Sequence, residues 1–144
     1  MEGVAVLVAS SIARSKIFEL PGRTFRLLHS PDETGARNMS LGIATFPAGS
    51  APEGHVHIAE EEIVYVAAGR GRLIADDSVV ELVPGTAVYI PPGVMHATVA
   101  YDEAPLQLVC AFSPPVTPGS YEPRTVGPRS ESMTSPADQT RHSD

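Results

Sequence analysis

The chain has 144 residues, of which 42% are hydrophobic and 19% charged. That is enough for one domain with a buried core and too few for two ordinary ones. Seventeen acidic against ten basic residues give a net charge of -7, and no four basic residues run together, which excludes nucleic acid and anionic membranes as expected partners. A single cysteine, Cys110, excludes an internal disulfide framework and a multi-cysteine zinc cluster, so the expected setting is cytoplasmic.

The apolar start from Val4 to Ala9 has no basic residue before it and falls far short of the roughly 18 to 20 residues a membrane span needs, so it is expected to be a strand over 3–9. Ser11 to Phe18 fits a helical turn. Beyond it, short runs rich in Val, Ile, Thr, Tyr and Phe are separated by turns drawn from 12 glycines and 14 prolines. They predict strands over 24–29, 38–46, 55–58, 62–68, 71–75, 78–82, 86–90, 95–100 and 106–112. No long stretch repeats at 3.6 residues, and the regular turn spacing predicts an all-β jelly roll or small barrel. From Ser113 the composition changes to a Pro/Ser-rich tail, residues 113–144, with few large apolar side chains. It is expected to be flexible or draped on the surface, with Tyr121 lying over a partner subunit or the barrel mouth.

The chemistry concentrates in two segments. In the first, His55 and His57 alternate with Val56, so on a strand both imidazoles leave the same face about 6.6 to 7 Å apart along the backbone and can converge on one ion. A carboxylate a few residues later can join from the next strand. In the second, the turn built on Pro91 and Gly93 delivers His96 at the start of a new strand, where it can complete a set of three histidines and one carboxylate.

These segments resemble the paired motifs of the cupin superfamily. The first motif, G-x5-H-x-H-x(3 or 4)-E-x6-G, is met by Gly49, His55, His57, Glu62 and Gly69, its spacing also admitting Glu61 as the carboxylate. The second, G-x5-P-x-G-x2-H-x3-N, is met by Gly85, Pro91, Gly93 and His96, with Ala100 where the family has Asn. The resemblance implies a single cupin barrel (a double-stranded β-helix) over residues 1–112, with motifs at 49–69 and 85–100. The 15 residues between Gly69 and Gly85 suit a small bacterial-type monocupin, akin to the quercetin-dioxygenase-like and polyketide-cyclase-like cupins. It also implies a homodimer, with strand 3–9 as an exchanged or augmenting edge. Of the run Glu60-Glu61-Glu62, Glu62 is the expected ligand, because it leaves six residues before Gly69. By alternation it then faces inward with Val64 and Val66, while Ile63 and Tyr65 face out. Glu60 and Glu61 fit a solvated turn, with Glu61 a candidate base behind the ligands.

The expected metal ligands are therefore His55, His57, Glu62 and His96, and the pocket candidates are Thr98, Gln107 and Glu61. Cys110 reads as a small buried hydrophobe, and His29 and His142 as bystanders. Three imidazoles and a carboxylate suit one divalent ion per subunit, Fe(II) being favoured over Mn, Ni, Co or Zn. Four protein ligands leave open positions for catalysis. The expected function is a metal-dependent enzyme acting on a small, partly apolar substrate, a dioxygenase binding an enol or phenolate. The alternatives are a non-redox cyclase, isomerase or lyase with the metal as Lewis acid, and a non-catalytic binding barrel. Arg26 and Arg37 are the expected cations for an acidic substrate.

Overall fold

The structure, a computed structural model, describes residues 6–116 and the backbone of Glu122–Pro123. A single 3-10 turn at Ile12–Arg14 precedes β1 (Lys16–Leu20) and β2 (Arg23–His29). A one-turn helix, α1 (Pro31–Thr34), follows. It is capped at its start by Ser30 Oγ, which accepts from the Glu33 N–H at 3.1 Å. The remaining strands are β3 (Ser40–Phe46), β4 (His55–Val56), β5 (Glu61–Ala68), β6 (Gly71–Ala75), β7 (Ser78–Leu82), β8 (Ala87–Ile90), β9 (Ala97–Ala100), β10 (Leu106–Ser113) and β11 (Glu122–Pro123).

Every pairing between these strands is antiparallel. One sheet runs β1-β2-β3-β10-β5-β8. Opposite it, β7-β6-β9 and the pair β11-β4 form a second layer, joined by a bridge between His55 and His96. This is the all-β jelly roll that the turn spacing predicts. Period-two alternation builds the core: along β10, Leu106, Leu108, Cys110 and Phe112 are buried while their neighbours are only partly so, and along β5 Glu62, Val64 and Val66 turn inward. They meet Phe25, Leu27, Phe46, Leu73, Leu82 and Ile90 from the other strands.

Two expectations near the N-terminus need correction. Residues 6–9 form no strand, and Val6 and Leu7 are exposed at 74% and 100%. An apolar run needs a neighbouring strand to satisfy its backbone, and this segment has none among the described residues; residues 1–5 lie outside them. The helical turn expected over 11–18 is confined to Ile12–Arg14, and β1 takes Lys16 onward by pairing with β2 from Lys16↔Leu27 to Leu20↔Arg23. At the other end the chain stays packed past Ser113. The Val116 N–H donates to Ser40 Oγ at 3.1 Å and its side chain is buried. Tyr121 and His142 lie outside the described residues. No helix among the described residues is long and apolar enough to cross a membrane.

Gly69 shows how tightly the turns are built. Its φ is +83°, and a Cβ there would run into the Pro105 carbonyl oxygen and the Leu106 backbone. Gly69→Ala is therefore expected to destabilise the fold by about 2 kcal/mol or more, the left-handed conformation alone accounting for about 1 to 2 kcal/mol. Chemical denaturation checks this; an unchanged midpoint would contradict it.

Candidate metal centre

The site is assembled by main-chain pairing before any side chain is considered. The His55 N–H donates to the His96 carbonyl and the His96 N–H returns a bond to the His55 carbonyl, both at 2.9 Å. The Gly93 N–H donates to the His57 carbonyl at 2.8 Å, so the Pro91–Gly93 turn is clamped to the His-x-His segment. Gly54 makes the close approach possible, because a Cβ there would meet Met95 Sδ at 2.5 Å and the His96 carbonyl oxygen at 2.9 Å.

On this frame the three imidazoles converge, one ring nitrogen of each lying within 4.8 Å of the others. Glu62 reaches the same point from β5. Its Oε1 stands 3.7 Å from His57 Nε2 and 3.5 Å from His96 Nε2, and it is buried without a hydrogen-bond donor among the described residues. His96 Nδ1 lies 3.0 Å from the Val94 carbonyl. A carbonyl can only accept, so Nδ1 carries the proton and Nε2 presents its lone pair. Two lone-pair donors, His96 Nε2 and Glu62 Oε1, thus face each other in a buried place, an arrangement that a cation relieves. Burial, reinforced by the charge His96 would carry if protonated and by that of Arg23, holds the His55 imidazole well below its ordinary pKa. His57 is also lowered by burial, against an opposing pull from Glu62. Neutral imidazoles are the ligating form, and the four residues fit a divalent ion.

The ligands form one wall of a cavity of about 50 Å³ that opens to solvent. Phe25, Phe46, Leu73, Ile90, Leu108 and Phe112 supply much of its apolar surface, and Thr98, Cys110 and Arg23 are its other polar side chains. Thr98 therefore sits where the sequence places it. Glu61 and Gln107 do not line the cavity. Each sits one residue out of phase with the inward positions of its strand, and exposed Glu61 accepts a 2.7 Å bond from the Tyr89 hydroxyl. Tyr65 faces outward as expected. Cys110 is buried, its thiol pushed up by burial and then by the Glu62 charge. His29 lies apart, within 2.9 Å of Thr34 Oγ1. Ala100, where the motif has Asn, is buried in the core, and its N–H donates to the Ser50 carbonyl at 2.8 Å.

The cation at the cavity is not the expected one. Arg26 Nη1 donates to the Ile12 carbonyl at 3.1 Å, away from the site, and Arg37 is exposed in a loop. Arg23 lines the cavity instead. Parity could have found it: Arg23 shares its face of β2 with buried Phe25 and Leu27, whereas a strand begun at residue 24 leaves it in the turn.

Comparison with known proteins agrees with this picture. The cupin domain family matches residues 42–112. An uncharacterised protein of Methanocaldococcus jannaschii is 34% identical over 94 residues, covering 65% of this chain and 75% of that protein. The polyketide cyclase RemF from Streptomyces resistomycificus superposes with a TM-score of 0.71 at 20% identity, over 94% of this chain and 98% of RemF. The oxalate decarboxylase of Lactobacillus farciminis superposes with a TM-score of 0.74 at 19% identity, over 85% of this chain and 37% of the larger enzyme. The chain belongs to the cupin family, and its described residues form one barrel of that fold.

The lowered histidines predict an acid-sensitive fold. Below about pH 6.5 the unfolded chain takes up protons that buried His55 refuses, so stability is fully present above that pH and falls as pH drops. For the metal-free protein the expected loss is about 1.4 kcal/mol per pH unit for each histidine that stays neutral. Urea denaturation at pH 7 and pH 5 should show a shallower pH dependence in His55→Gln than in the parent; equal dependence would contradict the assignment.

Proposed function

We propose that the protein is a divalent-metal-dependent enzyme acting on a small, partly apolar organic substrate, with His55, His57, Glu62 and His96 holding the ion. The observation that carries this is the convergence of three imidazoles and a buried carboxylate on one wall of an otherwise apolar cavity. When bound, a redox-active ion such as Fe(II) supplies a Lewis-acidic centre for an enolate or phenolate and a route for its electrons to dioxygen. The chain itself contributes the ligands, a wall of Phe and Leu side chains that excludes water, and the Thr98 hydroxyl as a hydrogen-bonding group facing the substrate. Such walls are compatible with the dioxygenase reading, which we put first. A second reading, a non-redox cyclase, isomerase or lyase, draws support from the end-to-end fit to the polyketide cyclase.

Elemental analysis of protein purified without a chelating tag, paired with dioxygen uptake over enols, catechols and flavonoids, tests this. About one iron per chain with substrate-dependent uptake is expected. Bound zinc without uptake moves the assignment to the second reading, and a metal-free protein that binds such compounds without turnover overturns the enzyme. His96→Ala should lose the ion and at least about 100-fold in turnover while remaining folded.

We also infer a cytoplasmic homodimer. On the outer face of the larger sheet, Leu41, Ala111, Ile63 and Tyr89 stand in register across four strands, with Ile43, Val109 and Tyr65 in the next row. Ile63, Tyr65 and Tyr89 are about half exposed in the single chain, an apolar patch of the kind that marks association. Sedimentation should give a dimer for the parent and a monomer for Tyr65→Glu; unchanged mass would remove this face as the interface.

A further inference from the structure

We propose that Thr98 is the specificity residue of the cavity. Its hydroxyl recognises a second, uncharged oxygen on a phenol or enol whose first oxygen meets the metal centre, the two oxygens being carried on non-adjacent carbons. The proposal rests on the metal-dependent reading above and narrows its substrate to compounds of that oxygenation pattern.

The cavity offers few other groups for recognition. Apart from the four ligand residues, its polar side chains are Arg23, Thr98 and Cys110. The Arg23 guanidinium is already engaged, its Nη1 donating to the Pro21 carbonyl at 2.8 Å. Cys110 Sγ lies 3.8 Å from the Leu108 carbonyl, and a thiol is a weak donor. The Thr98 hydroxyl, by contrast, has no hydrogen-bond partner among the described residues, although the residue is only 8% exposed. A hydroxyl both donates and accepts, so a ligand that brings an oxygen to it is favoured over one that brings a methyl group and leaves it unmatched. One neutral hydroxyl does not compensate a buried charge, and the matching oxygen therefore belongs to a hydroxyl or a carbonyl.

Strand geometry sets where that oxygen must be. Thr98 is the inward position that follows His96, opposite Leu73 of β6, and successive inward residues of a strand stand roughly 6.6 to 7 Å apart along the backbone. The next such position, Ala100, is packed in the core, so along β9 the cavity is lined by Thr98 and no residue beyond it. Oxygens on neighbouring carbons both address one ion and leave Thr98 unserved. Oxygens on non-adjacent carbons divide between the ion and the hydroxyl, while the ring meets Phe25, Phe46, Leu108 and Phe112.

Resorcinol, with hydroxyls on non-adjacent carbons, and 3-methylphenol, with a methyl group in place of the second hydroxyl, are the probes. Calorimetric titration of each into the metal-loaded protein is expected to show resorcinol bound at least about tenfold more tightly. Thr98→Val, which keeps the shape and removes the hydroxyl, should erase that preference with metal content unchanged; Thr98→Ser should retain it. Catechol, whose adjacent oxygens both reach the ion, should bind the parent and Thr98→Val alike. An equal preference in parent and Thr98→Val would overturn the proposal, as would a parent with no preference or a Thr98→Ser protein that behaves like Thr98→Val. A loss for catechol as large as that for resorcinol would overturn the non-adjacent pattern. Should Thr98→Val fail to fold, Thr98→Ala removes the same hydroxyl and gives the same reading. Metal content, measured on the same samples, separates this result from the broader reading: a parent that takes up no ion overturns the metal centre and this inference with it, whereas a loaded parent without the preference removes only the role of Thr98.

Discussion

The reciprocal pair of backbone hydrogen bonds between His55 and His96 is the constraint on which the rest of the site depends. It joins β4 to the second layer, sets two of the three imidazoles opposite each other with ring centroids 4.5 Å apart, and leaves Gly54 no room for a side chain. The ligand spacing is therefore a property of strand pairing and is insulated from side-chain repacking. Net, each such bond contributes about 1 kcal/mol, but leaving its buried groups unpaired would cost more. The frame is consequently hard to loosen by one bond at a time.

From that frame the electrostatics follow. Glu62 arrives on β5, a strand paired with β8 and β10 in the opposite sheet, so the carboxylate and the histidines come from different layers. The lone pairs meet in the interior because the layers pack face to face. Burial that makes the imidazoles good ligands also makes the ion-free arrangement costly, since a buried carboxylate oxygen facing the His96 Nε2 lone pair has no cation to answer it. The site trades stability for readiness to bind.

Much of this was legible in the sequence because it rests on alternation. Val64 and Val66 set the parity of β5, and that parity separates Glu62 from Glu61 by itself; the same rule sends Tyr65 outward. His-x-His and the Pro91–Gly93 turn carry their spacing in the chain. What escaped depends on neighbours. Lys16–Leu20 becomes a strand only because β2 lies beside it, and Val6 to Ala9 fails to become one for want of such a neighbour. Gln107 could not be oriented until the β10 partners fixed its phase, and Arg23 was hidden by one residue of uncertainty at a strand end. Local pattern specified which residues could serve; pairing partners decided which of them face the cavity.

The distribution of ligands along the chain has a consequence for folding. His55, His57 and Glu62 lie within eight residues of one another, while His96 comes from a segment 34 residues beyond Glu62. An unfolded chain therefore keeps three of the four donors close together in sequence, and separates only His96, which the pairing of His55 with His96 brings back. Because an ion stabilises the native state only by the difference between its native and denatured affinities, added metal would raise the unfolding temperature by less than its native affinity alone implies. The same local trio would carry the ion through refolding, ready for His96 as its segment pairs with β4.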